Sequence, residues 1–583
     1  MNPLARRRDE EPSPSKPRPG RHEWEAGSPF ACRVKKTAAM LLLLFCSYPL
    51  AVLAQTRPSP SHSAAKLYRI AGTVTNPLSG EHVPRATVSL MNEDSRETLQ
   101  STETDAEGRF ALAPVPAGKY PLCVARRGYL SSCFDEHDNY SSAIVTGESQ
   151  DTEHIPFQLS PGAMVHGVVT DDGGEAVQGA KVMLFEKSHS GGLGERILNV
   201  TSGMTDDLGG FEFWDLTPGT FYLAVKGTPW FALHPSLAAN AAPEQVSAAK
   251  ALDVAYPVTF FDGVTEQAAA TGVPLRSGDH VELNVALHAV PAIHMLVRGA
   301  PDPAGNRFHP PEQFMQTIFG QEEAAPVGMA QPGLPGSGVT EYVGVAPGHY
   351  AVTHGDPPRL IEFDATSGSQ ELESAAGLPT TTVTIKLRMA GTSQLPARLP
   401  LVLRSESDAS REIGGIWAGE GKLQFAAVPP GLWTVLPQDQ GPERIGVVSI
   451  QGAGMNRQDS LIEVKDRPLT LTVTLARGVT AVNGFATKDK KGVPGVMIVL
   501  VPQDPAANWA LFRRDQSDSD GSFSLKDAVP GNYSVVAIED GWELDFARPE
   551  VIGRYLSSGV PVTIPDASPK VLLLARTVPV QPR

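Results

Sequence analysis

The chain has 583 residues, too many for a single core, and this length predicts several domains. Its composition is 41% hydrophobic and 19% charged, with 55 Gly and 51 Pro. Because apolar segments persist along the chain, this composition argues against wholesale disorder and favours many tight turns between short strands, as in an all-β protein. The formal net charge of −15 argues against nucleic acid and anionic lipid as partners.

Residues 1–54 predict a basic leader and signal peptide. Arginine and lysine residues precede an apolar run that begins at Met40 and ends at Ala54 with the small or β-branched residues that signal peptidase needs. We expect export, a mature chain that begins at Gln55, and a linker over 55–65. Translation from Met40 is an alternative start, because the basic segment before the apolar run is unusually long.

The alternative to cleavage is a leader retained as a membrane anchor, and only in this form do we expect the chain to contact a membrane. The apolar run is at the lower limit of spanning length and contains Pro49. Residues 1–54 hold nine basic and five acidic residues, so the rest of the chain holds 40 and 59, a net charge of −19. The mature surface is therefore more acidic than the whole chain.

Two cysteines lie beyond the leader, Cys123 and Cys133. In an oxidising compartment, a pair ten residues apart can close a short disulfide loop. Two unpaired thiols, one of them buried, are the alternative. We predict the disulfide, since so short a loop needs only a modest bend.

A turn followed by a strand recurs five times along the chain. In each copy Pro and Gly precede an aromatic residue, and another Gly stands ten residues before the turn Gly. The turn glycines are Gly118, Gly219, Gly348, Gly431 and Gly531, and the upstream glycines are Gly108, Gly209, Gly338, Gly421 and Gly521. Pro presets φ, and we expect the turn Gly to supply the positive φ of a type II turn. Alternating apolar residues predict a half-buried antiparallel strand after each turn.

The remaining pattern divides the chain into modules. In three copies an aspartate stands three residues before the upstream Gly and predicts a hairpin turn, namely Asp105, Asp206 and Asp518. Apolar strands that close the modules are expected at 155–159, 281–287, 381–387, 469–475 and 570–574. The predicted β-sandwich modules are 66–160, 161–289, 290–389, 390–476 and 477–583, of which the third and fourth are degenerate. Such short connections predict a semi-rigid rod.

Three modules share a front half, which is clearest in the second. There Gly167-Val-Val leads to the segment 177–184 and then to Thr205-Asp206 and Phe221. This pattern resembles the carboxypeptidase regulatory-like domain, and the first and fifth modules match it almost as well. The resemblance implies a seven-stranded transthyretin-like or carbohydrate-binding-like sandwich. It also implies an exported protein of Gram-negative bacteria, but it specifies fold better than function.

Three groups of residues were weighed as ligand sites. His309 and Glu312 fit the letters of a zinc motif, but the two prolines between them argue against a metal site. Asp518 and Asp520 resemble part of a calcium loop, but we favour a hairpin turn in which Asp bonds its own backbone. Aromatic side chains in the second module could stack on sugar rings, or could pack within their own loop; these are Trp230, Phe231, Tyr256, Phe260 and Phe261.

No signature of a catalytic nucleophile or a phosphate-binding loop occurs in the sequence. We therefore assign no catalytic residue, metal or cofactor. The leading hypothesis is a non-enzymatic exported scaffold, spacer or adhesion protein of the cell envelope, which meets polysaccharide or other envelope proteins in the periplasm, at the outer-membrane surface or outside the cell. A carbohydrate-binding protein that uses the second module is the alternative, and a hydrolase within 290–476 is a third.

Overall fold

A computed structural model describes residues 66–583, except 190, 193, 236–249, 299–312, 330–338, 355–357, 367, 374–376, 392–393, 397–398, 409–410, 439–443 and 567–568. The predicted leader, the linker, the 309–312 motif and Gly338 lie outside the described residues. None of the helices among the described residues combines the length and apolar character that a membrane span requires.

The first module is a sandwich of two sheets around one core, which includes Val74, Leu90 and Phe157. Its strands are β1 (Ala71–Thr75), β2 (Thr87–Met91), β3 (Thr98–Glu103), β4 (Arg109–Ala111), β5 (Gly118–Tyr120), β6 (Leu122–Ala125), β7 (Ser132–Cys133), β8 (Ile144–Thr146) and β9 (Ile155–Gln158). The sheet orders are β4-β1-β9 and β3-β2-β6-β7, and β5 pairs with β8.

The second module repeats this plan with longer strands. They are β10 (Ala163–Thr170), β11 (Lys181–Ser188), β12 (Arg196–Met204), β13 (Gly210–Leu216), β14 (Gly219–Lys226), β15 (Val254–Ala255), β16 (Thr259–Phe260), β17 (Val273–Leu275), β18 (His280–Glu282) and β19 (Val285–Ala286), with a 3-10 helix at Gln267–Ala269. The orders are β13-β10-β18 and β12-β11-β14-β16; β19 also pairs with β10, and β17 with β14.

The third module has sheets ordered β24-β25-β21-β28 and β23-β22-β26-β27-β29, and β20 pairs with β15 of the second module. Its strands are β20 (Val290–Pro291), β21 (Ile293–Arg298), β22 (Met315–Ile318), β23 (Gln321–Ala324), β24 (Gly328–Met329), β25 (Val339–Val345), β26 (Gly348–His354), β27 (Arg359–Ala365), β28 (Ser369–Glu373) and β29 (Leu378–Pro379).

The fourth module has sheets ordered β33-β34-β30-β39-β36-β37 and β32-β31-β35-β38. Its strands are β30 (Thr381–Met389), β31 (Leu401–Ser405), β32 (Glu412–Gly414), β33 (Ile416–Trp417), β34 (Lys422–Val428), β35 (Gly431–Pro437), β36 (Ile445–Gly452), β37 (Met455–Arg457), β38 (Leu461–Val464) and β39 (Leu469–Arg477).

In the fifth module, β48 pairs with both β40 and β45 and so joins the two layers. The strands are β40 (Thr480–Lys488), β41 (Lys491–Gly492), β42 (Met497–Pro502), β43 (Arg513–Gln516), β44 (Ser522–Ala528), β45 (Gly531–Ile538), β46 (Val560–Ile564), β47 (Val571–Leu573) and β48 (Val578–Gln581). Helix α1 is Pro549–Ile552, and 3-10 helices lie at Trp509–Leu511, Gly541–Glu543 and Leu556–Ser558. The all-β prediction is confirmed.

In every module the first long strand pairs in parallel with a strand at or near the end of the module. The pairs are β1 with β9, β10 with β18, β21 with β28, β30 with β39 and β40 with β47. This topology corrects one predicted boundary. Strand β30 was expected to close the third module, but it opens the fourth, because it pairs with β34 and β39 and packs into their core. The third module ends with β28 and the short strand β29, so the boundary lies near residue 380.

The recurring Pro-Gly-x-aromatic motif forms a corner whose ring folds back over the glycine. Tyr533 donates a hydrogen bond from its hydroxyl to the carbonyl of Val529 at 2.9 Å, and a Cβ on Gly531 would lie 3.1 Å from the Tyr533 ring. Tyr120, Tyr350 and Trp433 make the same bond to the carbonyl four residues earlier.

The predicted type II geometry at this corner is wrong. Gly348, Gly431 and Gly531 have φ near 155°, far from the +80° of that turn, and each begins a strand. At Gly118 and Gly531 the ring covers the glycine so closely that a Cβ would lie 3.2 and 3.1 Å from the tyrosine side chain. The upstream hairpin glycines do adopt the left-handed conformation; Gly209, for example, has φ of 74°.

Candidate functional site

The five aromatic residues proposed for sugar stacking do not form one exposed platform. Tyr256 is buried in the core of the second module, with Phe261 half-buried against it, and Phe260 is buried in a cluster that includes Ile318 of the third module. The buried rings of Tyr256 and Phe260 cannot stack on a ligand, so the hypothesis is wrong for these two residues. Trp230 is 79% exposed and contacts Phe231 edge to face.

A second exposed tryptophan was missed by the sequence reasoning. Trp214 on β13 is 58% exposed and lines an open groove between β12 and β13, together with Glu212, Asp215 and Thr217. The groove has a volume of about 730 Å³. An aromatic face beside carboxylates and hydroxyls is suited to a polyhydroxylated ligand. The alternation of β13, with Phe211 and Phe213 facing inward, was the signal that Trp214 faces outward.

Cys123 and Cys133 are joined by a disulfide between the paired strands β6 and β7. Their Cα atoms lie 3.8 Å apart, directly opposite each other in the register of the two strands. The disulfide closes the loop that follows the corner of Tyr120. The next segment, 135–145, contacts the fifth module.

The aspartate of the hairpin turn has a different partner in the fifth module. In the second module the carboxylate of Asp206 accepts hydrogen bonds from the amides of Leu208 and Gly210 in its own turn. In the fifth module the carboxylate of Asp518 accepts the Ser522 hydroxyl of its own turn at 3.3 Å and also, from the first module, the amide of Ala143 at 2.9 Å and the ammonium of Lys119 at 2.5 Å. Among the described residues, no group of three or more His, Cys, Asp and Glu is placed to hold a metal ion.

Further polar and aromatic contacts surround Asp518. Ser142 donates to the carbonyl of Ser517 at 2.8 Å, and the amide of Val145 donates to the hydroxyl of Ser519 at 2.9 Å. Arg514 and Asp138 form an ion pair at 2.5 Å, and the His137 ring stacks on Trp542 with centroids 5.4 Å apart. We call this set of contacts the first–fifth interface. It corrects the predicted rod, in which only neighbouring modules would touch.

Comparison with known proteins decides the family of the first module. Residues 69–158 match the carboxypeptidase regulatory-like domain. This match confirms the resemblance predicted from the repeated motif. The regulatory-like domain therefore supplies Lys119, Ser142 and Ala143 to the first–fifth interface. No curated protein sequence matches the chain.

Several solved structures are similar to the chain with low identity. The Bacillus anthracis TIE protein has 11% identity and a TM-score of 0.16, over 72% of this chain and 76% of that one. A streptococcal ancillary pilin has 11% identity and a TM-score of 0.19, over 52% and 98%. BcpA, the major pilin subunit of Bacillus cereus, has 11% identity and a TM-score of 0.13, over 54% and 99%. At such identities and TM-scores, we base no functional argument on them.

A buried hydroxyl connects the two halves of the regulatory-like sequence motif in the first module, and the same contact recurs in the second and fifth modules. Thr104 donates from its hydroxyl to the carbonyl of Val83 at 2.6 Å and accepts the amide of Ala86 at 2.9 Å. Thr205 in the second module and Ser517 in the fifth make the same pair of bonds. Each buried hydroxyl thus ties the front half of its module to the hairpin turn, which explains why both halves of the motif occur together.

The electrostatics of the first–fifth interface favour a charged Lys119. Burial disfavours the ammonium ion, but the surrounding carboxylates, Asp518 foremost, together outweigh this and raise the pKa of Lys119 above its ordinary value. Burial also raises the pKa of the Asp518 carboxyl, although Lys119 acts in the opposite direction. Beside the interface lies a cavity of about 450 Å³, where burial raises the pKa of Asp515 to about 7. The first and fifth modules are thus joined by a largely desolvated ion pair, Lys119 with Asp518, in addition to the exposed pair of Lys526 with Asp94.

The second and third modules also meet through charged groups. Glu323 on β23 accepts Lys181 at 2.8 Å and Lys226 at 3.0 Å, both from the second module. Burial opposes ionisation of Glu323, but the two ammonium groups outweigh it and lower the pKa of the carboxyl. These ion pairs join the second and third modules directly, in addition to the short chain connection between them.

A chain of buried ionisable groups crosses the same junction. The ring of His294 on β21 faces Glu341 through Nδ1 and Asp253 through Nε2, each at 2.7 Å. Asp253 in turn accepts His234 at 2.9 Å. Burial disfavours a charged imidazole, but the two carboxylates outweigh it and raise the pKa of His294. This group was not found by sequence reasoning, because its members are dispersed over more than a hundred residues.

Proposed function

We propose that the chain is a non-enzymatic, exported scaffold or adhesion protein of the cell envelope, whose modules are fixed against one another by specific polar contacts. The observation that carries this proposal is the first–fifth interface. Fixing two modules that lie hundreds of residues apart presents their surfaces in a constant arrangement. A scaffold needs such an arrangement, whereas beads on a flexible linker lack it.

Two features support export. The disulfide between Cys123 and Cys133 requires an oxidising compartment to persist. The basic and apolar leader is of the kind that directs secretion. Fractionation of producing cells, with sequencing of the mature N-terminus, tests this part. We expect the chain outside the cytoplasm with its N-terminus at Gln55, and a cytoplasmic chain that retains residues 1–54 would refute export.

The fixed arrangement is tested with spin labels on exposed residues of the two modules. Leu99 on β3 and Leu573 on β47 are half-exposed and three-quarters exposed, so Cys substitutions there leave the cores intact. Double electron–electron resonance should give one narrow distance distribution. A broad distribution in the unaltered background would show that the modules move freely and would refute the scaffold proposal.

Carbohydrate binding is a second candidate function, favoured by the exposed Trp214 in its groove and by Trp230. Polysaccharide pull-down with the purified chain tests it. Binding that is lost in Trp214→Ala or Trp230→Ala but kept in Trp417→Ala, a partly exposed tryptophan of the fourth module, supports this function. If the chain retains no polysaccharide, or if all three variants bind alike, neither tryptophan is a sugar platform.

A further inference from the structure

A separate cavity lies between the fourth and fifth modules. It has a volume of about 320 Å³, near the lower end of the range for ligand pockets. Arg444 and Ser460 line it from the fourth module, and Asn508 and Arg513 line it from the fifth. Apolar side chains, such as Leu511, complete its wall. The described residues that line this cavity include two arginines and no carboxylate.

Arg513 is a rigid and desolvated member of this pair. Its side chain belongs to a residue that is only 8% exposed. Nε donates to the carbonyl of Asp527 at 2.9 Å, and Nη1 donates to the carbonyls of Ala510 and Phe512 at 3.1 and 2.7 Å. These carbonyls orient the guanidinium plane but neutralise no charge. Nη2 makes no hydrogen bond and the group makes no ion pair with any described residue, which is unusual for a buried guanidinium.

Arg444 is the accessible member. Its guanidinium is exposed and makes no hydrogen bond or ion pair within the described part of the chain. Burial, and next the charge of Arg444, lower the pKa of Arg513, so the two cations are close enough to repel each other. Asp527 and two tyrosines act in the opposite direction. The neighbouring cavity of about 450 Å³ shares both arginines but also contains Glu93, Asp515 and Asp518.

We propose that the cavity between the fourth and fifth modules binds a small oxyanion group, held by Arg444 and Arg513. The guanidinium of Arg444 carries parallel N–H donors that match a carboxylate, sulfate or phosphate, and Nη2 of Arg513 adds the donor that its three carbonyl contacts leave free. The ligand that carries this oxyanion group is either a free inorganic anion or a one-ring organic acid whose hydroxyl groups contact Ser460 and Asn508. The site is notable in a chain of net charge −15, where anions are otherwise repelled. This inference does not depend on the proposed function.

Isothermal titration calorimetry of the purified chain tests the site with sodium glucuronate, glucose, inorganic phosphate and inorganic sulfate. We expect at least one of the three anions to bind in a 1:1 ratio and glucose to bind at least ten-fold more weakly than glucuronate. Glucuronate binding tighter than phosphate and sulfate assigns the site to an organic acid, and the reverse order assigns it to a free anion. Affinity should fall as salt rises, because the contact is between charges.

The matched variants are Arg444→Gln and Arg467→Gln. Arg444 has no described partner, so its replacement should leave the fold intact and weaken the anion at least ten-fold. Arg467 is another exposed arginine of the fourth module, outside the cavity lining, and its replacement should change nothing. If none of the three anions binds, or if the Arg444→Gln chain binds them as tightly as the unaltered chain, the proposal is wrong.

Discussion

Removing the carboxylate of Asp518 should open the first–fifth interface. In Asp518→Ala, Lys119 loses its ion-pair partner and the amide of Ala143 loses its acceptor. Breaking a buried ion pair by removing one partner costs about 3–5 kcal/mol. The Lys119 side chain is 25% exposed, so water partly solvates the orphaned ammonium, and we expect the lower end, about 3 kcal/mol.

This cost is best measured by hydrogen exchange, because a chain of five cores need not unfold in one step. The amide of Ser519, bonded to the carbonyl of Ala143 at 3.1 Å, and the amide of Val145 report the contact, since the substitution leaves their own acceptors in place. About 3 kcal/mol corresponds to roughly a hundred-fold faster exchange at 1.4 kcal/mol per ten-fold. Lys119→Met in the same chain should recover part of the loss, because no unpaired charge then remains.

Asp206→Ala is the matched control. It removes the equivalent aspartate, whose carboxylate bonds only amides of its own turn, so it should loosen that turn and leave Ser519 unaffected. If Ser519 exchanges at the same rate in Asp518→Ala and in the unaltered chain, the ion pair does not hold the interface and the reasoning fails.

Three further predictions concern other parts of the chain. Because the pKa of His294 is raised in the folded chain, the charged ring stabilises the second–third junction fully below the unfolded pKa near 6.5, and this stabilisation should be lost as pH rises through the folded pKa. Hydrogen exchange of the β25 amides between pH 5 and 9 should show this loss of stability. In His294→Gln this pH dependence of stability should be absent. Replacing both Cys123 and Cys133 with Ala should destabilise the first module by about 3 kcal/mol, because the disulfide no longer restricts its unfolded state. Urea unfolding followed through resonances of the first module measures this, and an unchanged urea midpoint would show that the disulfide does not stabilise the module. Phe260→Ala should cost about 3–5 kcal/mol, whereas Trp230→Ala should stay within about 0.5 kcal/mol; equal melting temperatures for the two variants would overturn the burial argument.

The strands and hairpin turns were predictable because their determinants are local. Alternation of apolar residues decides which face of a strand is buried, and Gly209 with Asp206 decides where a hairpin reverses. The third–fourth boundary was not predictable in this way. Strand β30 alternates like any closing strand, and only its pairing with β34 and β39 shows that it opens a module.

The candidate sites were largely beyond sequence reasoning, because their members are far apart in the chain. Lys119 and Asp518 are separated by 399 residues. Asp518 was recognised as a turn residue, but nothing local shows that its carboxylate bonds another module in addition to Ser522 of its own turn. Likewise, the aromatic composition of the insertion does not tell which rings face inward; burial of Phe260 depends on packing against β14 and Ile318.

The parallel pairing of the first and last strands has a mechanical consequence. Tension applied where the chain enters and leaves a module pulls these two strands in opposite directions along their length, so their hydrogen bonds are loaded in shear and must break together. In the fourth module this pairing extends over seven residue pairs, from Val383 with Leu469 to Met389 with Leu475. The first module has four such pairs, so under a stretching force the fourth module should be the stronger link.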